Sequence, residues 1–236
     1  MRQEVHQSPC SPLHELVHIF SVTPQDMETI TPTSSPPNRR LKCKTTIHSS
    51  VEESVAHASS SSKVTIYSDG SGLGGYVGTA TTSYKARSEP KILKYHLGPL
   101  DAHTTFEAEA VGLLLALHLL SLERGACSAT IMLDNQALIQ TLEHRKPKPA
   151  QHIMEELTCQ ISSAYRQVRH LDFELNIMWV KGHANIEGNE LVDGAAKLAV
   201  GGESSAASLL PPMLMSSLPV SIMARKQAFT ASLHKQ

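Results

Sequence analysis

Between residues 63 and 200, apolar positions recur with the two periods that distinguish strands from helices. Short runs rich in β-branched and aromatic residues are predicted strands, at 63–68, 76–84, 91–97, 129–133 and 173–180. Apolar residues spaced three and four apart predict helices, at 106–120, 136–143, 151–168 and 190–200. This order predicts an α/β fold, with a mixed five-stranded sheet that begins with three antiparallel strands and carries helices on both faces.

The segments on either side of this region lack the same patterning. A Pro-Pro pair, serine-rich stretches and three prolines after residue 210 are typical of linkers rather than of packed elements. We therefore predict a flexible lead over residues 1–62, one domain over residues 63–201, and a flexible or partly helical tail over residues 202–236.

The composition agrees with one ordinary domain and its flanks. The chain has 236 residues, of which 41% are hydrophobic, and a formal net charge of -1. A domain of about 100–150 residues fits within this length. The balanced charge is unlike that of a strongly basic, non-specific nucleic-acid binder, so any contact with nucleic acid must come from a local patch.

Cysteine usage and the lengths of the apolar runs bear on the compartment. The four cysteines form no CxxC pair, which favours free thiols in a reducing compartment. The first residues lack the apolar run of a secretory signal, and the longest apolar stretch, 111–120, is too short to cross a bilayer. We expect an intracellular monomer, nuclear or cytoplasmic and not secreted, without a membrane partner.

Four acidic residues stand where the predicted elements would bring them together. Asp69 and Asp134 each follow a strand, and Glu109 and Asp193 lie within helices. Buried carboxylates are costly unless they are paired or bind a metal, and several in one place cannot all stay ionised. Carboxylates without companion cysteines or histidines favour hard ions, so we predict a site for Mg2+ or Mn2+.

Each of these acids has an ordinary alternative when it is taken alone. Asp69 could be a turn residue before Gly70, and Asp193 a helix-surface acid. Glu109 could be a residue at the edge of the apolar face with a bent side chain. Asp134 precedes a short helix, and capping of that helix is the favoured interpretation for this residue by itself. The prediction of a metal site therefore depends on the whole set.

Glu107 and Glu109 compete for one place in this set. On a helix their side chains point about 200° apart, at about 100° per residue. Glu109 shares a face with Phe106 and Leu113. We therefore predict that Glu109 points inward and that Glu107 is solvated.

The segment GSGLGG, residues 70–75, formally matches a dinucleotide-binding pattern. Such a site needs a helix next, whose N-terminus holds the pyrophosphate, whereas residues 76–84 have a strand pattern. We therefore expect no nucleotide cofactor and predict a glycine-rich hairpin. Its backbone N–H groups beside Asp69, at Gly70 and Ser71, are candidates for contact with a substrate sugar or phosphate.

The segment WVKGHANIEGNELVD, residues 179–193, carries one histidine through a glycine-containing loop to the start of a helix. Histidine is suited to proton transfer near neutral pH. A lone loop histidine is usually only solvated, and the chain has 13 histidines. His183 stands out by its position between a strand and the helix that bears Asp193.

Together these segments resemble type 1 ribonuclease H domains. The matching stretches are, in order, YSDGSGLGGYVG, TFEAEAVGLLLAL, IMLDNQALI and WVKGHANIEGNELVDGAAKLA, within residues 63–200. The resemblance implies a ribonuclease H-like fold and four metal-binding, catalytic carboxylates, which are Asp69, Glu109, Asp134 and Asp193. It also implies that His183 is the histidine of a mobile loop and that Gln136 contacts the substrate.

The function that the resemblance implies is endonucleolytic hydrolysis of the RNA strand in an RNA–DNA hybrid, with 5′-phosphate products. Two Mg2+ ions, or Mn2+ as a substitute, would lie about 4 Å apart, activate the attacking water and stabilise the leaving 3′ oxygen. RNA is recognisable by its 2′-hydroxyl groups and by helix shape, so no sequence preference is required.

Among such domains, the chain is most similar to those of fungal non-LTR retrotransposon polyproteins, although it has no YxDD polymerase signature. Two alternatives stay open. One is a non-catalytic nucleic-acid-binding relic of such a domain, against which the intact carboxylates argue. The other is a different nuclease or strand transferase on the same kind of sheet, against which the His183 loop and the step from Asp134 to Gln136 argue.

Overall fold

The computed structural model describes residues 23–31, 43–48, 63–85, 88–143, 149–168, 172–182 and 186–233, together with residues 50, 52, 53 and 56. The strands are β1 (Lys44–Thr46), β2 (Val64–Leu73), β3 (Tyr76–Lys85), β4 (Lys91–Pro99), β5 (Ser128–Leu133) and β6 (Glu174–Trp179). The α-helices are α1 (Thr105–Ser121), α2 (Gln136–Glu143), α3 (Gln151–Gln167), α4 (Glu187–Val200) and α5 (Ile222–Leu233).

The described strands form one mixed sheet of six strands in the order β1-β6-β5-β2-β3-β4. β3 pairs antiparallel with both β2 and β4. On the other side of β2, the pairs β2–β5, β5–β6 and β6–β1 are parallel. The predicted α/β class and mixed sheet are confirmed, but the predicted number of five strands is wrong. The sixth strand is β1, which comes from the predicted lead and has only 3 residues, too few to show an alternating pattern.

Helices cover both faces of the sheet, as predicted. Alternate residues of a strand point to opposite faces. Ile66 and Ile131 accordingly belong to the main core with residues of α1 and α3, whereas Tyr67 and Met132 belong to a smaller cluster with residues of α4.

The glycine-rich segment forms a hairpin, as predicted. β2 continues through it to Leu73, and Gly74 and Gly75 make the turn with φ values of 60° and 86°. Two successive positive φ values are typical of the two-residue turns that match the twist of paired strands, and glycine adopts them without strain. Asp69 therefore lies inside β2, opposite Ala80 of β3, rather than at the end of a strand.

α1 is buried on nearly all sides because it packs against the sheet and against α3. A capping box closes its first turn: the Glu107 N–H donates to Thr104 Oγ1, and the Thr104 N–H donates to Glu107 Oε2 at 2.7 Å. Glu107 has 0% exposure, so the prediction that it is solvated is wrong. The cap gives this carboxylate partners inside the protein, which permits its burial.

Described residues of the lead and of the tail pack against the sheet and its helices or against each other. Leu210, Leu214 and Leu218 of the tail belong to the main core. Met27 of the lead forms a parallel β-bridge with Val220 of the tail. The boundaries predicted at residues 63 and 201 stay predictions, but the packed region extends beyond them on both sides.

Glu28 joins the lead to the tail. Its buried carboxylate accepts hydrogen bonds from the N–H groups of Ala150 at 2.5 Å and Ile222 at 2.9 Å. These N–H groups lie at the starts of α3 and α5, where backbone donors have no partner within the helix. One side chain of the lead therefore caps two helices. None of the described helices is long and apolar enough to span a membrane.

Candidate active site

Three of the predicted carboxylates meet at one place in the fold. One carboxylate oxygen from each of Asp69, Glu109 and Asp134 lies within 4.8 Å of the other two. Ser68 of β2 pairs in parallel with Leu133, the last residue of β5. Asp69 and Asp134, which come next along the chain, therefore lie side by side. α1 packs against β2 and brings Glu109 to them. We call these three residues the acidic cluster.

Two glycines permit the close approach of the segments that carry the acidic cluster. A Cβ atom at Gly70 would lie 2.5 Å from the backbone nitrogen of Glu109, and one at Gly182 would lie 2.9 Å from Asp134 Oδ2. Both distances are too short for a side chain to be accommodated without movement. Glycine at these positions therefore lets α1 rest on β2 and lets the segment after β6 rest on Asp134.

Burial and repulsion from neighbouring charges raise the pKa values of two residues of the acidic cluster. Burial raises the pKa of Asp69 to about 7, with further contributions from the charges of Asp134 and Asp193. The pKa of Glu109 is well above its ordinary value, first because of burial and then because of Asp134 and Asp69. Glu109 Oε2 has no hydrogen-bond partner among the described residues. Without a cation, the cluster therefore retains protons near neutral pH.

The residue after Asp134 makes the helix cap. Asn135 Oδ1 accepts a hydrogen bond from the Leu138 N–H at 3.0 Å, at the start of α2. The capping role that was the ordinary alternative for Asp134 is thus filled by its neighbour. The backbone oxygen of Asp134 accepts a hydrogen bond from Trp179 Nε1 at 3.0 Å, which ties the end of β5 to β6.

Asp193 lies on α4, beside the acidic cluster and outside the group of three. Lys197 Nζ, one turn further along α4, donates to Asp193 Oδ2 at 2.6 Å. The charge of Asp193 is nevertheless close enough to contribute to the raised pKa of Asp69. The role of Asp193 as a fourth metal ligand stays a prediction.

A family model matches the part of the chain that carries this site. The model is that of RNase H, and it matches residues 61–201. The chain belongs to the RNase H family. Among curated proteins, none is significantly similar to the chain.

Solved RNase H structures align with the chain at low sequence identity. RNase H1 from the halophilic archaeon Halobacterium salinarum NRC-1 is 16% identical with a TM-score of 0.44, over 59% of this chain and 98% of its own. LC11-RNase H1, isolated from compost by a metagenomic approach and crystallised with an RNA/DNA hybrid, is 18% identical with a TM-score of 0.43, over 58% and 99%. The N-terminal RNase H domain of rv2228c from Mycobacterium tuberculosis is 22% identical with a TM-score of 0.40, over 60% and 96%.

The other predicted site residues of the RNase H domain are the candidates for substrate contact and proton transfer. Gly70 and Ser71 lie in β2, where they pair with β3. Gln136 is exposed at the start of α2, two positions after Asp134. His183 lies outside the described residues. The contacts of Gly70, Ser71 and Gln136 with a substrate stay predictions, as does the catalytic role of His183.

Three residues that support the acidic cluster were not predicted from the sequence. Trp179 and Gly182 belong to the segment that contains His183, but only the order of β5 and β6 in the sheet places them beside Asp134. Asn135 had a signal, since asparagine is a good N-cap and stands three residues before Leu138. The presence of Asp134 next to it concealed that signal.

Proposed function

We propose that this RNase H domain is a metal-dependent endonuclease that hydrolyses the RNA strand of RNA–DNA hybrids. The observation that carries the proposal is the convergence of Asp69, Glu109 and Asp134 within an RNase H domain. The substrate class comes from the family resemblance of the four sequence motifs.

The acidic cluster fits a divalent metal ion. Its donors are all carboxylate oxygens, which suit Mg2+ or Mn2+ better than softer ions. Glu109 Oε2 is buried without a hydrogen-bond partner in the described part of the chain, and a cation would supply the missing partner. Asp69, Glu109 and Asp134 would hold the ion, and Asp193 would complete a set of four in a site for two ions.

When bound, divalent cations stabilise charge that develops on a phosphate and make a water molecule more acidic. Hydrolysis joins the water oxygen to phosphorus and breaks the bond from phosphorus to the 3′ oxygen, which leaves a 5′-phosphate and a 3′-hydroxyl. In the metal-free protein Asp69 has a pKa of about 7, so it can lose its proton near neutral pH and become a ligand for the ion. The Lys197 ammonium donates to Asp193 at 2.6 Å, and its charge lowers the pKa of Asp69, so it favours the charged form of Asp69.

We assign His183 to proton transfer or product release, and Gly70, Ser71 and Gln136 to contact with the hybrid. Support for Gly70 comes from its place directly against the backbone of Glu109. Support for Gln136 comes from its exposed position two residues after Asp134.

We also propose a retrotransposon origin on the basis of the sequence resemblance, and an intracellular monomer, nuclear or cytoplasmic. The free thiols of Cys127 and Cys159 support a reducing compartment.

A cleavage assay with matched substrates tests the proposal. With Mg2+ or Mn2+, the full chain should cut the RNA strand of a labelled hybrid and leave 5′-phosphates. Single-stranded RNA, double-stranded RNA and duplex DNA of the same sequence should stay intact. Asp69→Asn should abolish cleavage, whereas Glu174→Gln, a change at an exposed residue of β6, should keep the wild-type rate.

Three outcomes would contradict the proposal. Equal cleavage of all substrates, or an undiminished rate in Asp69→Asn, would show that the activity belongs to another site or to a contaminant. A chain that binds the hybrid in a gel-shift assay but cuts it with neither ion would be a non-catalytic nucleic-acid-binding relic.

A further inference from the structure

Thr79 of β3 is joined by its side chain to the backbone of Asp69. Its hydroxyl donates a hydrogen bond to the carbonyl oxygen of Asp69 at 2.7 Å. Thr79 is fully buried, and in the register of β2 and β3 it lies opposite Gly70, the residue after Asp69. This side-chain bond therefore adds to the pairing of the two strands at a residue of the acidic cluster.

Asp69 lies where β2 loses one of its two neighbouring strands. Ser68 pairs with Leu133, the last residue of β5, and beyond this pair β2 continues beside β3 alone in the described sheet. The backbone at Asp69 is therefore held on one side less than the backbone before it. The Asp69 carboxylate is also repelled by those of Glu109 and Asp134 when they are ionised. A further bond from β3 restricts the movement of this part of the strand.

Gly112 of α1 leaves the room that the Thr79 hydroxyl occupies. A Cβ atom at Gly112 would lie 2.5 Å from Thr79 Oγ1 and 3.6 Å from the carbonyl oxygen of Asp69. α1 therefore rests directly on the two bonded groups. Gly112 stands three residues after Glu109, which is nearly one helical turn. The contact thus also sets how closely the helix that carries Glu109 approaches the strand that carries Asp69.

Thr81, two residues further along β3, makes the same kind of bond to a residue outside the acidic cluster. Its hydroxyl donates to the carbonyl oxygen of Tyr67 at 2.9 Å, and Thr81 too is fully buried. A buried hydroxyl needs a hydrogen-bond partner, and a carbonyl of the next strand meets that need. If this were the whole purpose, the two threonines would be equivalent. They differ because only the bond of Thr79 ends on a residue of the acidic cluster.

We propose that Thr79 is a positioning residue, whose hydroxyl holds the backbone of Asp69 so that its carboxylate is in place for metal binding. This inference rests on the proposed function, because the arrangement that it protects is the metal-binding one. Thr79 acts through Asp69 and is assigned no contact with the substrate or with the metal ion.

Two pairs of variants separate positioning from stability. Thr79→Val and Thr81→Val each remove one buried hydroxyl and keep the branched shape of the side chain. In a chelator, both should lower the melting temperature by about 2–4 °C, because each loses one hydrogen bond. Thr79→Ser and Thr79→Ala both shorten the side chain, but only serine keeps a hydroxyl.

Calorimetric titration of the full chain with Mn2+ measures the expected effect. Thr79→Val and Thr79→Ala should raise the Kd by about three- to tenfold, below most of the range for groups bonded to a metal ligand itself, because the bond reaches the backbone of Asp69. Thr81→Val and Thr79→Ser should keep the wild-type Kd. The cleavage rate of Thr79→Val should fall at low Mn2+ and recover as Mn2+ is raised, which a loss of stability alone would not produce.

The outcomes distinguish this inference from the function on which it rests. Equal Kd values in Thr79→Val and Thr81→Val, or in Thr79→Ser and Thr79→Ala, would overturn the positioning role. If Thr79→Val does not fold, the comparison of serine with alanine decides. If the chain binds Mn2+ with the expected differences between variants but cuts no hybrid, the proposed function fails and the positioning role stands. A chain that takes up no Mn2+ would overturn both.

Discussion

Two glutamates two residues apart on α1 are both buried, yet they lie in different surroundings. Glu107 accepts two hydrogen bonds from Thr104, at 2.7 and 3.0 Å. Burial raises its pKa, and the bonds to Thr104 lower it. Burial also raises the pKa of Glu109, but its nearest charged neighbours, Asp134 and Asp69, raise it further.

The contrast shows that burial alone does not identify a metal ligand. The exposures of the two residues are 0% and 6%, and each has one oxygen without a partner among the described residues. They differ in what meets the carboxylate. At Glu107 the donors of a helix cap lower the pKa, and the charge of Glu28 is only the last of the causes that raise it. At Glu109 the charges of two carboxylates, Asp134 and Asp69, are the largest causes after burial. Only the second arrangement needs a cation to be stable when it is ionised.

The largest expected effect is a difference in cleavage rate between variants of Glu109 and of Glu107. Glu109→Gln should lower the rate by more than about 100-fold, because even the hydrogen-bond partners of metal ligands are worth about 10–100-fold. Glu107→Gln should change the rate by less than about threefold, well under the ~1.4 kcal/mol of a tenfold effect. Its side-chain carbonyl can still accept from Thr104. Steady-state cleavage of a hybrid in Mg2+ measures both variants.

Thermal unfolding in a chelator is the control for this pair. Glu109→Gln should leave the melting temperature unchanged or raise it, since it removes one of several like charges. Glu107→Gln should lower it. If Glu107→Gln abolished cleavage without loss of stability, the assignment of the two roles would be reversed.

Glu28 should behave like Glu107, with a larger effect on stability. Glu28→Ala leaves the N–H groups of Ala150 and Ile222 without their charged partner. We expect the free energy of unfolding to fall by about 2–3 kcal/mol, measured by urea titration. Glu28→Gln keeps an acceptor and should lose less. A loss in Glu28→Ala within the range of ordinary surface substitutions, about 0.5 kcal/mol, would mean that the two caps contribute little.

Asp69 should make stability depend on pH when no divalent metal is present. Its folded-state pKa of about 7 lies above the ordinary value of 3.8, so the folded protein holds this proton more tightly than the unfolded chain does. The resulting stability is complete below pH 3.8 and is lost as the pH rises towards 7. From about pH 4 to pH 8, wild type should lose on the order of 2 kcal/mol that Asp69→Asn retains.

Denaturant unfolding in a chelator at both pH values measures this difference. Added Mg2+ should reduce it, since a bound cation offsets the charge of the ionised carboxylate. The same loss in wild type and in Asp69→Asn would mean that Asp69 does not titrate in this range.

His103 should show the smallest effect, and with the opposite sign. Burial, followed by the charge of His152, lowers the pKa of His103 from 6.5 to about 4. The folded protein therefore binds this proton less tightly, and the stability is complete above pH 6.5 and is lost as the pH falls towards 4. Between about pH 7 and pH 5, wild type should lose roughly 1 kcal/mol more than His103→Gln. Equal losses in wild type and in His103→Gln would mean that His103 is solvated rather than buried.

The sequence predicts those parts of the fold and of the site that depend on the period of apolar residues and on the order of the elements along the chain. Strand and helix patterns between residues 63 and 200 give the elements, and parallel pairing of two strands brings Asp69 beside Asp134. The helical spacing of Glu109 from Phe106 and Leu113 identifies it as the inward carboxylate, in agreement with its place in the acidic cluster.

The rest depends on contacts that no local pattern contains. Helical spacing gives one inward face for α1, but this helix is covered on both sides, so Glu107 is buried as well. β1 has too few residues for a period, and it becomes a strand only because β6 offers an edge. Glu28 resembles an ordinary linker acid until Ala150 and Ile222 are brought to it from far along the chain.

The tail leucines have a consequence for the order of events during synthesis. Leu210, Leu214 and Leu218 fill a side of the core whose other walls, including α1, are made much earlier. At about 5–20 residues per second, the ribosome needs roughly one to four seconds for the ~20 residues that follow α4. Until these residues have been added, that side of the core stays without its tail leucines. Glu28, although it is made early, must wait for Ile222 before its second helix cap can form.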